Sequence, residues 1–352
     1  MKRYSLQNTV KRIKENKELN VVFFGGSVTW GTAASDESKT SWRALTVKWL
    51  KEEYPDCVIN GVNAAIGGTG TGYGFLRFDR DVTPHNPDLI FIEFSVNDCY
   101  QGYSVDESLI YYESIIRKVY ALNPTTDIVM IFITDMDKAT YSKIFNAHRR
   151  LAEYYNIPVV EFGKKLHNYI EKTGEPINNY LSDWVHPNDK GYEFYFSVMK
   201  NFLVSELNVS FGDLIDHSIT KSFGNVVLCG ETGIIDTDDI ETKSINGFIK
   251  EKNSWNPNGY VYTSYNKGDI WEFEFTGTYL GVLGQSWKDE EASDEVECII
   301  DGEYQKICSF RKNDHSSLHR TFAMGLENKK HKAVLRNLKD GKCTIESFFV
   351  IK

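Results

Sequence analysis

No apolar run in this sequence is long enough to cross a bilayer, so no membrane-spanning helix is expected. Long basic runs are missing too. With 49 acidic residues against 40 basic ones the net charge is −9, which gives nucleic acid no surface to bind. The stretch from Met1 to Asn20 is charged (Lys2, Arg3, Lys11, Arg12, Lys14, Glu15, Lys17, Glu18) and holds no apolar segment of the kind a secretory leader needs. The six cysteines (Cys57, Cys99, Cys229, Cys298, Cys308, Cys343) show neither C-x-x-C nor any other metal-ligand spacing. They read as buried thiols in a reducing compartment, and the expected location is the cytoplasm. The glycine-rich tract 67–74 matches neither G-x-G-x-x-G nor G-x-x-x-x-G-K-[ST], which sets nucleotide binding aside. Internal repeats and low-complexity tracts are also lacking.

The chain is long enough for two domains, and its character changes near residue 208. Before that point, near-continuous apolar runs at 20–24, 57–60, 89–94, 128–133 and 158–161 alternate with helical patterns. One helix sets Trp42, Leu45, Trp49 and Leu50 on a single face, another opens with a capping box at Ser104 and Glu107, and a last one after Asn188 turns Tyr192, Tyr195, Phe196, Met199, Phe202 and Leu203 inward. Strands buried on both faces and separated by helices predict a doubly wound, flavodoxin-like α/β/α domain over 1–207 with five parallel strands. Over 208–352 no helical period remains. Short runs rich in β-branched and aromatic residues, at 259–265, 270–276, 279–283, 295–300, 304–310, 333–336 and 343–351, predict a jelly-roll-like β-sandwich, with Asp301-Gly302 as a two-residue hairpin turn.

Four motifs in the first domain can assemble an acyl-transfer site. They are Gly25-Gly26-Ser27-Val28-Thr29-Trp30-Gly31, Asn63-Ala64-Ala65-Ile66-Gly67-Gly68, Ser95-Val96-Asn97-Asp98 and Asp183-Trp184-Val185-His186-Pro187. Ligands of open α/β sheets sit at the carboxyl ends of strands, where Ser27 falls. A serine hydroxyl is a poor nucleophile until a base takes its proton. The spacing Asp183-x-x-His186 lets the carboxylate hold Nδ1–H of the imidazole and leaves Nε2 for Ser27. The Ser27 and Gly68 backbone N–H groups and the Asn97 amide are candidate oxyanion donors. Each piece also has a plainer reading: a Gly/Ser turn, a helix-entry His-Pro, a flexible glycine loop and an Asn turn.

Together these motifs resemble the SGNH, or GDSL-like, hydrolases over residues from about 20 to 205. Carried over one at a time, the four named residues are Ser27, Gly68, Asn97 and His186, with Asp183 completing a catalytic triad. Two positions depart from the pattern: Gly26 stands where an Asp commonly precedes the serine, and Ser95 replaces the Gly of G-x-N-D. An α/β esterase followed by an aromatic-rich sandwich is similar to two-domain carbohydrate esterases of the acetyl-mannan or acetyl-xylan type, whose sandwich looks like a carbohydrate-binding module. The resemblance implies a serine O-acetylesterase acting on acetylated oligosaccharides, with no cofactor and no catalytic metal. A lipid or thioester hydrolase on the same triad is the first alternative, and a glycan-binding protein with a vestigial esterase domain the second.

An indole face can cover the apolar face of a pyranose, so Trp30, Trp184 and, from the second domain, Trp287 are candidate substrate-binding residues. Exposed aromatic faces could equally serve a homo-oligomer. The acidic clusters Asp236-Thr237-Asp238-Asp239 with Glu241, and Asp289-Glu290-Glu291 with Asp294 and Glu295, could hold a structural calcium, but solvated loops are the favoured reading.

Overall fold

The computed structural model describes residues 6–15, 17–133, 143–209, 212–219, 221–254, 256, 259–286, 295–310 and 317–352. They form two compact units, Met1–Leu228 and Cys229–Lys352.

In the first unit, α1 (Gln7–Lys14) leads into β1 (Glu18–Gly25), followed by α2 (Ser27–Trp30), α3 (Trp42–Glu53), β2 (Val58–Asn63), α4 (Thr71–Asp81), β3 (Leu89–Glu93), α5 (Ser95–Gln101), α6 (Val105–Leu122), β4 (Asp127–Phe132), α7 (Lys143–Tyr154), β5 (Val159–Glu161), α8 (Phe162–Thr173) and α9 (Asp189–Leu207). The five strands are parallel in the order β2-β1-β3-β4-β5. Every residue of β3 and β4 is buried, as befits strands covered by helices on both faces. The order reverses between β1 and β3, so the switch point, where such sheets bind ligands, lies at the carboxyl ends of these two strands. Local signals set the helix starts. The Ser41 side chain accepts from the Ala44 N–H, Ser104 and Glu107 form the capping box, and the Asn188 side chain accepts from the Gly191 N–H.

The segment after α9, expected to open the sandwich, stays with the first unit. Ile215 N–H donates to Asn8 Oδ1 at 2.8 Å, His217 N–H to the Pro124 carbonyl at 2.8 Å, and Leu228 N–H to Ser114 Oγ at 2.9 Å. The division therefore falls after Leu228 and not after residue 207. A segment without helical period is satisfied here by side chains of the α/β unit.

The second unit is antiparallel: β6 (Thr232–Asp236), β7 (Glu241–Asn246), β8 (Ile249–Lys252), β9 (Tyr260–Ser264), β10 (Ile270–Gln285), β11 (Val296–Ile300), β12 (Glu303–Cys308), β13 (Ser317–Asn337) and β14 (Cys343–Ile351). The runs expected as two strands at 270–276 and 279–283 form one long β10, with register shifts at Gly277/Tyr279 and Leu280/Gly281. Its first half pairs with β7 and its second with β14, while β13 accompanies it throughout. Phe348 is in register with Val282, yet its ring lies 4.6 Å from that of Phe273. Nine residues of extended strand span about 30 Å, so β10 bends back over its own continuation and closes a two-layered core around Trp271, Phe273, Val282, Phe348 and Val350. Asp301 and Gly302 both take positive φ (53° and 85°), which makes the hairpin between β11 and β12.

Candidate active site

The site grows from the end of β1. Gly26 N–H donates to the Glu93 carbonyl at 3.2 Å, which carries the β1–β3 pairing one residue past the strand, and α2 then starts at Ser27. The Ser27 N–H, at the first helical position, has no acceptor within its helix. Gly31, at φ 105°, ends the helix after four residues, a conformation that any side chain would strain. Beneath the turn, the wholly buried Arg77 guanidinium donates to the Gly25 carbonyl at 3.1 Å and to the Ala64 carbonyl at 2.6 Å. One side chain thus fixes the ends of β1 and β2 relative to each other.

The loop before α9 supplies the second part. Its ends are pinned by a bridge between Leu181 and Pro187 and by Ser182 N–H donating to the His186 carbonyl at 2.8 Å. Asp183 Oδ1 accepts from the backbone N–H groups of Val185 and His186, at 2.8 and 2.7 Å. Its other oxygen, Oδ2, lies 2.7 Å from His186 Nδ1, and His186 Nε2 lies 2.7 Å from Ser27 Oγ. Burial alone would raise the Asp183 carboxyl, but the donors from His186 and Val185 outweigh it and hold the carboxyl below its ordinary range. An ionised carboxylate can only accept, so Nδ1 carries the proton, Nε2 is the acceptor and Ser27 donates to it. The arrangement is able to draw the proton from the serine hydroxyl.

The glycine loop that carries Gly68 and the Asn97 side chain both lie beside the Ser27 turn. On α5, Asn97 Nδ2 donates to the Thr69 carbonyl at 2.9 Å, and Gln101, one turn later, donates to the Gly68 carbonyl at 2.6 Å. One helix face therefore orders the glycine loop, in which Gly68 has φ 73°. The bond to Thr69 uses one of the two Asn97 amide hydrogens and leaves the other. Gly26 lies tight against this amide: a Cβ there would stand 2.0 Å from Asn97 Nδ2. Gly26→Ala should therefore displace Asn97, and both Gly26→Ala and Asn97→Ala should lower kcat by roughly 10²–10³ with little change in KM. A wild-type kcat in Asn97→Ala would remove this amide from the site.

The second departure from the family pattern has a structural cause. Ser95 is buried with Oγ 3.0 Å from His148 Nδ1, and His148 Nε2 lies 2.6 Å from Ser108 Oγ, which donates to Asp98 Oδ2 at 2.5 Å. Asp98 also accepts from the Thr71 N–H and hydroxyl, both at 2.7 Å. Burial pushes the Asp98 carboxyl up to about 7 and the His148 imidazole down to about 3. This chain of hydrogen bonds joins α4, α5, α6 and α7 behind the loop. Reading the sequence motif by motif misses Arg77, Gln101 and His148. The signal available was a charged or polar side chain inside an otherwise apolar helix face.

Two of the three proposed substrate-binding tryptophans are exposed in the first unit: Trp30 on α2, one turn from Ser27, and Trp184 between Asp183 and His186. The Trp184 ring lies 4.8 Å from that of Tyr100 on α5. Trp287 lies outside the described residues, as do Asp289, Glu290, Glu291 and Asp294. In the other acidic cluster Asp238 pairs with Lys250, and Glu241 with Lys243 and Lys330. Among the described residues no group of three or more His, Cys, Asp or Glu is placed to hold a metal ion.

The model of a family described as GDSL-like lipase/acylhydrolase matches residues 23–194. No curated protein matches the chain. Among solved structures, the chain is similar to a two-domain esterase active on acetylated mannans, co-crystallised with mannopentaose (TM-score 0.77, 23% identity, covering 99% of this chain and 95% of that one). A second structure of a two-domain esterase active on acetylated mannans gives a TM-score of 0.74 at 22% identity, with the same coverage. At such identities the likeness is one of fold.

Proposed function

We propose that the protein, whose residues 23–194 match the model of the GDSL-like lipase/acylhydrolase family, is a serine carboxylic ester hydrolase and, more narrowly, a carbohydrate O-acetylesterase acting on acetylated mannan- or xylan-type oligosaccharides. One observation carries the chemistry: the unbroken hydrogen-bond chain from Ser27 Oγ through His186 to Asp183. The exposed indoles of Trp30, three residues past Ser27, and Trp184, between Asp183 and His186 in sequence, favour a sugar as the alcohol. The fold shared with an esterase active on acetylated mannans supports the same substrate class.

In this reading Ser27 attacks the acetyl carbonyl as His186 Nε2 takes its proton, and Asp183 steadies the imidazolium. The negative charge gathers on the former carbonyl oxygen, held by the Ser27 and Gly68 N–H groups and the Asn97 amide. His186 then gives that proton to the sugar oxygen as its bond to the acyl carbon breaks, so the sugar departs with a free hydroxyl and an acetyl-enzyme remains. Water, deprotonated by the same nitrogen, attacks it and releases acetate. Four of the six cysteines, Cys57, Cys298, Cys308 and Cys343, are buried, which suits a cytoplasmic setting.

The test is acetate release from acetylated manno- and xylo-oligosaccharides beside p-nitrophenyl esters of increasing acyl length. Acetate release from one glycan class is expected, with kcat/KM at least about tenfold lower for octanoyl than for acetyl esters. Long-chain esters cleaved as well as acetate, with no glycan deacetylated, would replace the proposal with the lipid or thioester reading.

A further inference from the structure

β3 ends in a carboxyl group that the reaction does not use. Glu93 is buried on the sheet, and its side chain faces the underside of the turn that presents Ser27. Its Oε2 accepts from the Thr29 hydroxyl at 3.1 Å and from the Gly26 N–H at 3.3 Å, and its backbone carbonyl takes the same N–H at 3.2 Å. The residues on both sides of Ser27 thus hang on one side chain, four positions before Asn97. A Cβ at Gly25 would stand 2.7 Å from both the Glu93 carbonyl and Thr29 Oγ1, which measures how closely the turn lies on the strand. The other carboxyl oxygen, Oε1, meets no partner among the described residues.

We propose that Glu93 is a positioning residue for Ser27: as an uncharged carboxylic acid it anchors the Gly26–Thr29 turn, and its ionisation sets the alkaline limit of activity. The proposal rests on the reading of Ser27 as nucleophile. An uncharged acid can accept both bonds at Oε2, whereas a carboxylate would leave an unpaired anionic oxygen in a dry site. Burial is accordingly the dominant influence and pushes the group up to about 8, against the hydrogen bonds from Thr29 and Gly26.

The surroundings reinforce this. From α5, Asp98 adds a second carboxyl; from α6 comes Tyr112, whose hydroxyl donates to the Ile92 carbonyl; from α9 come Tyr192 and Tyr195. Behind Tyr112, His148 is held neutral by burial. The Arg77 guanidinium serves Gly25, Ala64 and Asp81. Deprotonation would place a negative charge under the turn, opposing the oxyanion that forms above it.

The sign for stability follows. The Glu93 carboxyl binds its proton more tightly folded than unfolded. Its contribution is complete below the ordinary glutamate range and is lost as pH rises through about 8.

The experiment compares pH profiles of kcat/KM for p-nitrophenyl acetate, taken as the part of turnover that Ser27→Ala abolishes, together with thermal melting of each full-length variant. Wild type should decline above about pH 8 by on the order of tenfold. Glu93→Gln should keep its neutral-pH turnover within about tenfold and lose the decline, and its Tm should gain on wild type between pH 5 and pH 8. Glu93→Ala should lose kcat at every pH with KM little changed. An alkaline decline in Glu93→Gln at the wild-type pH would overturn the proposal. If Glu93→Gln does not fold, Thr29→Val answers the same question: it removes a donor that favours the ionised form, so the decline should move to higher pH, and an unmoved decline refutes the role. Turnover that survives Ser27→Ala would instead overturn the reading of Ser27.

Discussion

Replacing Ser27 by alanine is expected to lower turnover of p-nitrophenyl acetate and of acetylated oligosaccharides by about 10⁴-fold or more, with no loss of fold. The size of the effect follows from what is left behind. His186 would keep its bond to Asp183 and the oxyanion donors would keep their places, but no atom would remain to form the acetyl-enzyme. Residual turnover would come only from water attacking an ester that the Asn97 amide and Gly68 N–H still polarise. Stability should hardly change, because Ser27 Oγ makes its bond to His186 at a half-buried surface and alanine suits the first turn of a helix. The measurement is kcat/KM beside Tm. Retention of more than about one per cent of wild-type kcat/KM would place the nucleophile elsewhere.

The parallel sheet was legible because its strands are buried on both faces and so read as plain apolar runs. All five fell within a few residues of their observed limits. The helices were legible wherever a polar cap preceded an apolar period, as at Ser104 and Asn188, although Leu45, Phe196 and Phe202 lie half-buried at the margins of their faces. In the second unit the same rules did less well. Every residue of β7 is exposed, so it carries no apolar alternation, and β13 hides its middle in Glu327-Asn328-Lys329-Lys330-His331-Lys332, which reads as a charged loop. Cross-strand pairs hold that run in place: Lys330 meets Glu241 and Glu274, and His331 meets Asp301. Such partners are distant in sequence, and no local pattern announces them.

At the site, the candidate residues stand in short motifs, and the structure brings three of them, Ser27, His186 and Asp183, into one hydrogen-bond chain. Their supports could not be read from any motif. Glu93 is a lone carboxyl in an apolar run and His148 a lone imidazole in a helix face; what each holds depends on which turn lies above it. The same holds for Gly26, which lies tight against the amide of a residue far along the chain.

Substituting Asp183 by asparagine separates orientation from mere contact. The asparagine carbonyl oxygen can still accept from the Val185 and His186 N–H groups, the two bonds of 2.8 and 2.7 Å that shape the loop. Its amide nitrogen then faces His186 Nδ1, where the carboxylate oxygen stood at 2.7 Å. Two donors cannot face each other, so the imidazole must move its proton to Nε2. That proton then points at Ser27 Oγ, which it can no longer relieve of its own hydrogen. The expected result is a fall of about 10⁴ in kcat with KM and Tm nearly unchanged. Asp183→Ala should act differently: it frees both backbone N–H groups as well, so the loop loosens, and Tm should fall along with kcat. Equal losses of kcat in the two variants with unequal losses of Tm would assign the carboxylate to tautomer control. Wild-type kcat in Asp183→Asn would show that His186 reaches its working tautomer without help from Asp183.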